Sequence, residues 1–578
     1  MGKFLIGLLT GAILTILCGV VLVFSLARFG TDKRVAVPDN ATLVLVLEGE
    51  IPERSPVELP IPFFEQQTQS TVKDVWELLR KAAVDSRIKA VVFEPRNISA
   101  GWAKLEEIRA DLEQFRKSGK PLVAYLKGPS TREYYLATAA DRIYMGPEEY
   151  LDVKGLRAAM MFFKGTLDKL GVQVEVEHAG KYKDFGDMFE RTNMSEATKE
   201  VMNSVLDDVY GRLLSTIASA RKKSVEEVRA TLDEGPFLAK QSVAKGLVDS
   251  LRYEDQMYGE LQSRLKSGDI KKFSHRDYMK VSPASLGLEG KPRIAFLVGQ
   301  GDITRGGSGD DGYGESGIGA EGFNKLLRRV ANDGSIRGVI VRIDSPGGDA
   351  MASDDIWREM NLLSKKKPLV ISMSDAAASG GYYMAMTGDP ILAYAGTYTG
   401  SIGVVFGKPN LHGLYDKLGI TVDTLTRGRY ADIDSEYHPL TPDARAKLRA
   451  GIDESYRDFV AKVAEARKRP FGQVEPLAQG RVWLGDQALE RGLVDGLGGI
   501  DRAIDLVKER AKIARQEKVT ILTYPPKRSV FDIAFGRTPD SLFETRVAPL
   551  DKILKQPQIR SLLRGGMLRV MPYTVEVR

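Results

Sequence analysis

A self-match along the sequence constrains the fold more than any other feature. Asp168-Lys169-Leu170-Gly171 recurs as Asp416-Lys417-Leu418-Gly419, an offset of 248 residues. Tyr134-Tyr135 with Ala137 returns as Tyr382-Tyr383 with Ala385 at the same offset, and DSRIKAVV from Asp85 returns as DGSIRGVI from Asp333. Further on, AKGLVD ending at Asp249 matches ERGLVD ending at Asp495, at an offset of 246. A shift held this steadily marks a duplication. A chain of 578 residues also exceeds what one core supports, so two copies of one domain are expected.

Within each copy, short apolar runs alternate with amphipathic segments. In the second, RIAFLVG, GVIVRID, LVISMSD and PILAYAG read as buried strands, while AEGFNKLLRRVAN and SDDIWREMNLLSKK carry a helical period. The pattern predicts an α/β fold around a parallel or mixed sheet. The stretch GGSGDDGYGESG, Gly306 to Gly317, reads as a loop without regular structure. The expected layout is an anchor over 1–28, a first domain over 29–283, a linker over 284–291, a second domain over 292–530 and an unassigned tail over 531–578.

The anchor rests on Phe4 to Ala27, which contains no charged residue and has the roughly 20 residues a membrane-spanning helix needs. Ser25-Leu26-Ala27 leaves removal as a signal peptide open. Lys3 on one side and Arg28, Lys33 and Arg34 on the other give no clean orientation. A net charge of +6 without a long basic run argues against nucleic acid as a partner. The single cysteine, Cys18, and the scattered His178, His275, His412 and His438 offer no metal-ligand spacing. No metal or organic cofactor is implied.

Two glycine-marked turns follow apolar strands in the second copy: Ser345-Pro346-Gly347-Gly348, and Ser379-Gly380-Gly381. A serine among small residues at a strand-to-helix turn suits an exposed nucleophile, with the next backbone N–H facing a developing oxyanion. The first copy has lost both turns. Thr131-Arg132-Glu133 stands opposite Ser379-Gly380-Gly381, and Asn97-Ile98-Ser99-Ala100 opposite the other. The converse holds for a lysine: AGKYK, ending at Lys183, aligns with RGRYA, ending at Ala431. Complementary loss suggests one site assembled from both copies. A lysine base must be neutral, which needs a shift of roughly three units from about 10.4 and hence burial. Ser401 in YTGSIG is the candidate for aiming its amine, whereas Asp184 and Asp187 threaten to raise its pKa.

At these residues the chain resembles the long form of bacterial signal peptide peptidase A, the protease IV family. The matched features are GKYK, DSPGG, ASGGYY, TGSIGV and GRVWLGDQALERGLVDGLGG. The resemblance implies a tandem Clp protease/crotonase-like fold preceded by one transmembrane helix. It implies a Ser/Lys dyad with Ser379 as nucleophile, Lys183 as base and Ser401 positioning it, and oxyanion donors at Gly380 and one of Gly347 or Gly348. It further implies a membrane-anchored endopeptidase acting on cleaved signal peptides and other short hydrophobic peptides. The implied setting is the bacterial inner membrane, with the catalytic body on the periplasmic side and a homotetramer as the assembly. Small or apolar side chains are the expected preference. The rivals are an acyl-CoA enzyme on the same fold, a Ser/His/Asp hydrolase using His178, and a catalytically silent tethered scaffold.

Overall fold

Branched and apolar residues repeat along Arg293–Gln300, Ile336–Ser345 and Leu369–Ala378, and these form adjacent parallel strands buried on both faces. Continuous apolar strands of this kind belong to parallel sheets covered by helices on each side. The computed structural model of the protein describes residues 35–54, 69–266, 268–306, 313–314, 317–525 and 567–571, with Gly7, Gly11, Leu14 and Thr15 near the start.

The duplication is visible as two sheets with the same strand order. In the first, a strand at Ser250–Leu251 is followed across the sheet by Arg142–Met145, Leu122–Leu126, Ile88–Ser99, Ala41–Glu50 and Lys271–Ser274, all parallel. In the second, Gly496–Leu497 pairs with Ile391–Ala393, and the order continues through Leu369–Ala378, Ile336–Ser345 and Arg293–Gln300 to Thr520–Tyr524. Helices Ala320–Asn332 and Ala350–Ser364 lie beside this sheet, and the N-cap Asp349 accepts the Ala352 N–H at 2.9 Å.

A third sheet belongs to neither copy alone. Gln173–Ala179 of the first runs antiparallel to Val404–Asn410 of the second, in register from Val404 opposite Ala179 to Asn410 opposite Gln173. On the other side of Val404–Asn410 lies Met567–Val570, from the tail, which also pairs antiparallel with Gly347–Asp349. Where a structureless loop was expected, Tyr313–Gly314 pairs with Gly317–Gly319, extending the sheet by backbone bonds that glycine-rich chain can still make. Residues 307–312 and 315–316 of that loop lie outside the described residues.

Charged side chains buried between the copies fix their docking. Arg342 donates to Glu53 Oε1 at 2.7 Å and Glu107 Oε2 at 2.6 Å, both from the first copy, and to Ser372 Oγ at 2.9 Å. Burial alone would lower the guanidinium pKa, but Glu107 and Glu53 outweigh it and hold it above its usual value. Beside it, Lys104 Nζ donates to Asp344 at 2.8 Å, and Asp375 accepts the Gly101 and Lys104 N–H groups.

The expected transmembrane helix is corrected. Among the described residues no helix is long and apolar enough to cross a membrane. The long helices Glu196–Arg221 and Pro442–Ala466 carry charges along their length, which a bilayer core would not accept. Phe4–Ala27 itself lies outside the described residues apart from the four positions named. The expectations that hang on that helix fall with it: the anchored protease, the membrane partner, and single-pass placement in the bacterial inner membrane with a periplasmic body. The homotetramer has no support in a single chain.

Removing Arg342 leaves two buried carboxylates without their counter-charge. Arg342→Ala is expected to cost about 3–5 kcal/mol, the usual penalty for breaking a buried pair from one side. Urea unfolding followed by fluorescence checks this, and an unchanged midpoint would show that the cluster does not hold the copies together.

Candidate active site

Ser379 sits between the Leu369–Ala378 strand and the short Gly380–Met384 helix, at φ 53° and ψ −112°. A non-glycine residue held there costs on the order of 1–3 kcal/mol, which surrounding bonds must offset. Its N–H donates to the Gly400 carbonyl at 2.8 Å, and its carbonyl accepts the Tyr383 N–H at 2.8 Å. The small residues that follow are needed for space. A Cβ on Gly381 would fall 2.8 Å from the Ser345 carbonyl oxygen.

Lys183 arrives from the other copy, on the loop after the Gln173–Ala179 strand. Its Nζ lies 2.9 Å from Ser379 Oγ, 2.9 Å from Ser401 Oγ and 3.0 Å from the Ser401 carbonyl oxygen. All three residues are fully buried. Burial pushes the Lys183 amine well below the ordinary lysine range, Asp184 pulls it up, and the cation of Arg569 pushes it down again. The sequence thus singled out Lys183, Ser379 and Ser401, and the fold brings them within hydrogen-bonding distance.

Gly347, Gly348 and Gly380 meet beside this cluster. A Cβ on Gly347 would lie 2.7 Å from Gly380 N, and one on Gly380 would lie 3.2 Å from Gly348 N. Gly347 takes φ +106°, a left-handed conformation open mainly to glycine. Its N–H donates to Ser345 Oγ at 3.2 Å, so it is already engaged. The Gly348 and Gly380 amides therefore stand as the better-placed pair.

In the first copy, a carboxylate fills the equivalent space. Glu133, which stands where Gly381 does, accepts the Ile98 N–H and, at 2.8 Å, the Ser130 N–H. The two aspartates after Lys183 are engaged elsewhere. Asp184 accepts from the Thr198 and Ser195 hydroxyls, and burial raises its carboxyl to about 6. Asp187 lies 3.6 Å from Arg191. His178 is exposed, with Nδ1 3.2 Å from the Gly180 carbonyl oxygen, and takes no part in the cluster.

One contributor escaped the sequence reading. Gly480 packs against the Lys183 backbone so closely that a Cβ there would lie 2.6 Å from both Lys183 N and Lys183 Cβ. Its signal was the GRVW run, which drew notice only as part of a longer match. Gly480→Ala is expected to displace the lysine and lower kcat by about 100-fold, the scale of a misplacement near 1 Å, with KM little changed. Steady-state kinetics on a peptide substrate checks this, and a wild-type kcat would remove Gly480 from the positioning of Lys183.

Comparison with known proteins fits this geometry. Residues 114–267 and 361–514 match the model of Peptidase family S49, one match in each copy. The chain is 38% identical over 462 residues to "Serine protease SPPA, chloroplastic" of Arabidopsis thaliana, covering 79% of this chain and 68% of that one. It is 30% identical over 464 residues to "Protease 4" of Haemophilus influenzae, covering 77% of this chain and 74% of that one. Among solved structures, ClpP1 from Listeria monocytogenes is 15% identical with a TM-score of 0.21, covering 36% of this chain and 91% of that one. So loose a superposition carries no argument, and the expected Clp protease/crotonase likeness gains no weight from it. The family model matches both copies and the relatives align along most of their length, so the chain belongs to Peptidase family S49 and is a serine peptidase with a Ser/Lys dyad mechanism.

Proposed function

We propose that the chain hydrolyses peptide bonds through an acyl-enzyme on Ser379, with neutral Lys183 as general base and Ser401 holding its amine in line. The two repeats, 29–283 and 292–530, divide the work, the first supplying the base and the second the nucleophile. The observation that carries this reading is the buried Lys183 amine 2.9 Å from Ser379 Oγ.

The chemistry follows from the environment. A lysine accepts a proton only when neutral, and burial favours the neutral form. Ser401 Oγ and its carbonyl fix two directions around the amine, leaving the nitrogen lone pair free to face Ser379. As Ser379 Oγ attacks, the substrate carbonyl oxygen gains charge beside the Gly348 and Gly380 amides. Donors fixed in advance of that charge supply much of the rate enhancement. Lys183 returns the proton to the leaving amine, and water then releases the acyl group by the reverse sequence.

Ser379→Ala and Lys183→Ala are each expected to abolish hydrolysis of a fluorogenic peptide, at least 1,000-fold below the parent on the scale of a lost nucleophile or base. Near-parental turnover in well-folded Lys183→Ala protein would refute the dyad. The pH profile follows from the charges. Activity requires neutral Lys183, so kcat/KM rises with pH through its depressed pKa and levels off well below the ordinary lysine value of about 10.4. Asp184, once ionised above about 6, raises the lysine pKa. Asp184→Asn removes that charge, so the rising limb should move to lower pH. A limb that stays put or moves upward would mean that Asp184 does not act on the base.

A further inference from the structure

Between the turn Glu475–Leu477 and the strand Val482–Leu484, one short stretch bonds to both segments that carry partners of Ser379. On one side it holds the Lys183 loop. The Gln479 carbonyl accepts the Tyr182 N–H at 2.8 Å, and Gln479 Oε1 accepts the Lys181 N–H at 3.2 Å. On the other side it holds the Ser401 turn. The Gly480 N–H donates to the Ile402 carbonyl at 2.8 Å, and the Arg481 carbonyl accepts the Ser401 N–H at 2.7 Å. That last bond continues the antiparallel ladder in which Gly400 stands opposite Val482. The fit leaves no slack. A Cβ on Gly180 would fall 2.6 Å from the Gln479 carbonyl oxygen, and one on Gly403 would fall 3.0 Å from Gly480 Cα.

The stretch is itself held on both flanks. Gln479 takes φ 52°, a left-handed conformation that strains a residue with a side chain. Its N–H donates to the Tyr456 hydroxyl at 3.2 Å, and its Nε2 donates to the Glu475 carboxylate. One side-chain amide thus joins a carboxylate of its own copy to the backbone of the other, which needs a donor and an acceptor on the same group. The Arg481 guanidinium lies 4.9 Å from the centre of the Tyr182 ring and 4.4 Å from that of Trp483, and it pairs with Glu200 of the first copy. The Tyr182 hydroxyl donates to the same carboxylate at 3.0 Å. The residue before Lys183 is therefore clamped by its backbone, its ring and its hydroxyl together.

We propose that Gln479, Gly480 and Arg481 form a splint that places the general base and the serine aiming it as one unit, with Gln479 the positioning residue for Lys183. The inference rests on the proposed roles of Lys183 and Ser401. Strand pairing brings the lysine loop to the site, but the ladder ends at Ala179 and does not reach Lys183. The splint supplies the bonds that the ladder lacks. It keeps the amine within reach of both hydroxyls, and it keeps water from the ammonium form. Loosening it admits water, which favours the charged lysine. Gln479 carries no charge, and the charges that act on Lys183, those of Asp184 and Arg569, lie outside the splint. A change in the lysine pKa on replacing Gln479 therefore reports position and burial alone.

Gln479→Gly is the decisive variant, because glycine accepts the left-handed conformation and only the side-chain amide is lost. Hydrolysis of a fluorogenic peptide is followed across pH for the parent, Gln479→Gly, Tyr456→Phe and Lys183→Ala. At neutral pH, kcat of Gln479→Gly should fall about tenfold with KM within about twofold of the parent, as expected when the base is misplaced and substrate binding is not. The rising limb of kcat/KM should move up by about one pH unit, the direction set by a rehydrated amine. Tyr456→Phe removes the hydroxyl that accepts the Gln479 N–H and should move the limb the same way by a smaller amount. A limb that stays in place in Gln479→Gly, whether or not kcat falls, would overturn the inference. If that variant does not fold, an unmoved limb in Tyr456→Phe would overturn it instead. With Lys183→Ala inactive, either result leaves the proposed function standing. Parental turnover in Lys183→Ala would overturn both.

Discussion

The antiparallel pairing of Gln173–Ala179 with Val404–Asn410 is the constraint on which the rest of the site depends. The first strand leads into Lys183 and the second follows directly on Ser401. Register between them sets the distance from the amine to both hydroxyls. A slip of one residue would turn alternate side chains to the opposite face and carry Lys183 away from Ser379. The pairing is braced by charge: Glu175 accepts from Arg445 at 2.9 Å, and Glu177 accepts from Arg449 at 2.8 Å. It is braced again behind the site, where Arg342 ties Glu53 and Glu107 into the second copy.

Duplication gave this protein two versions of one arrangement, and the differences between them are instructive. In the second copy, glycines at 347, 348, 380 and 381 place no side chain over the backbone amides beside a serine. In the first, Glu133 fills the corresponding space and its carboxylate takes up the Ile98 and Ser130 N–H groups. A pocket already filled by a carboxylate cannot stabilise a developing oxyanion. What the first copy retains is the lysine, and its environment favours a neutral amine. The nearby carboxyl of Asp184 is itself buried, bound to two hydroxyls and pushed up to about 6. The tail strand adds the cation of Arg569 on the far side, which acts in the same direction as burial on Lys183.

Much of this was legible in the sequence, in a form that shows why. The recurrence of DKLG and YY at one offset revealed the duplication, because duplicated residues keep their spacing even where their roles have diverged. The apolar runs around Phe296, Ile340 and Ile371 revealed buried strands, because a strand covered on both faces needs no polar alternation. The loss of glycines in one copy and of the lysine in the other pointed to a site shared between them. The tail was opaque for the opposite reason. Met567–Val570 has no copy elsewhere in the chain, and a strand of four residues has too little length to show a period. Gly480 was opaque too, because nothing local shows that another segment packs against it at a distance a Cβ would not allow.

The sequence by itself determined the repeat, the α/β class of each copy, and which residues were worth bringing together, since periodicity and spacing are properties of neighbours along the chain. Only the tertiary structure decided that Lys183 and Ser379, 196 residues apart, touch. It alone decided that Gly347 is already engaged by Ser345 while Gly348 faces the site, and that the strand Met567–Val570 pairs with Gly347–Asp349. These depend on how two sheets dock and which strand fills the gap between them. That is fixed by the summed burial and buried ion pairs of residues far apart in sequence, and no local pattern records it.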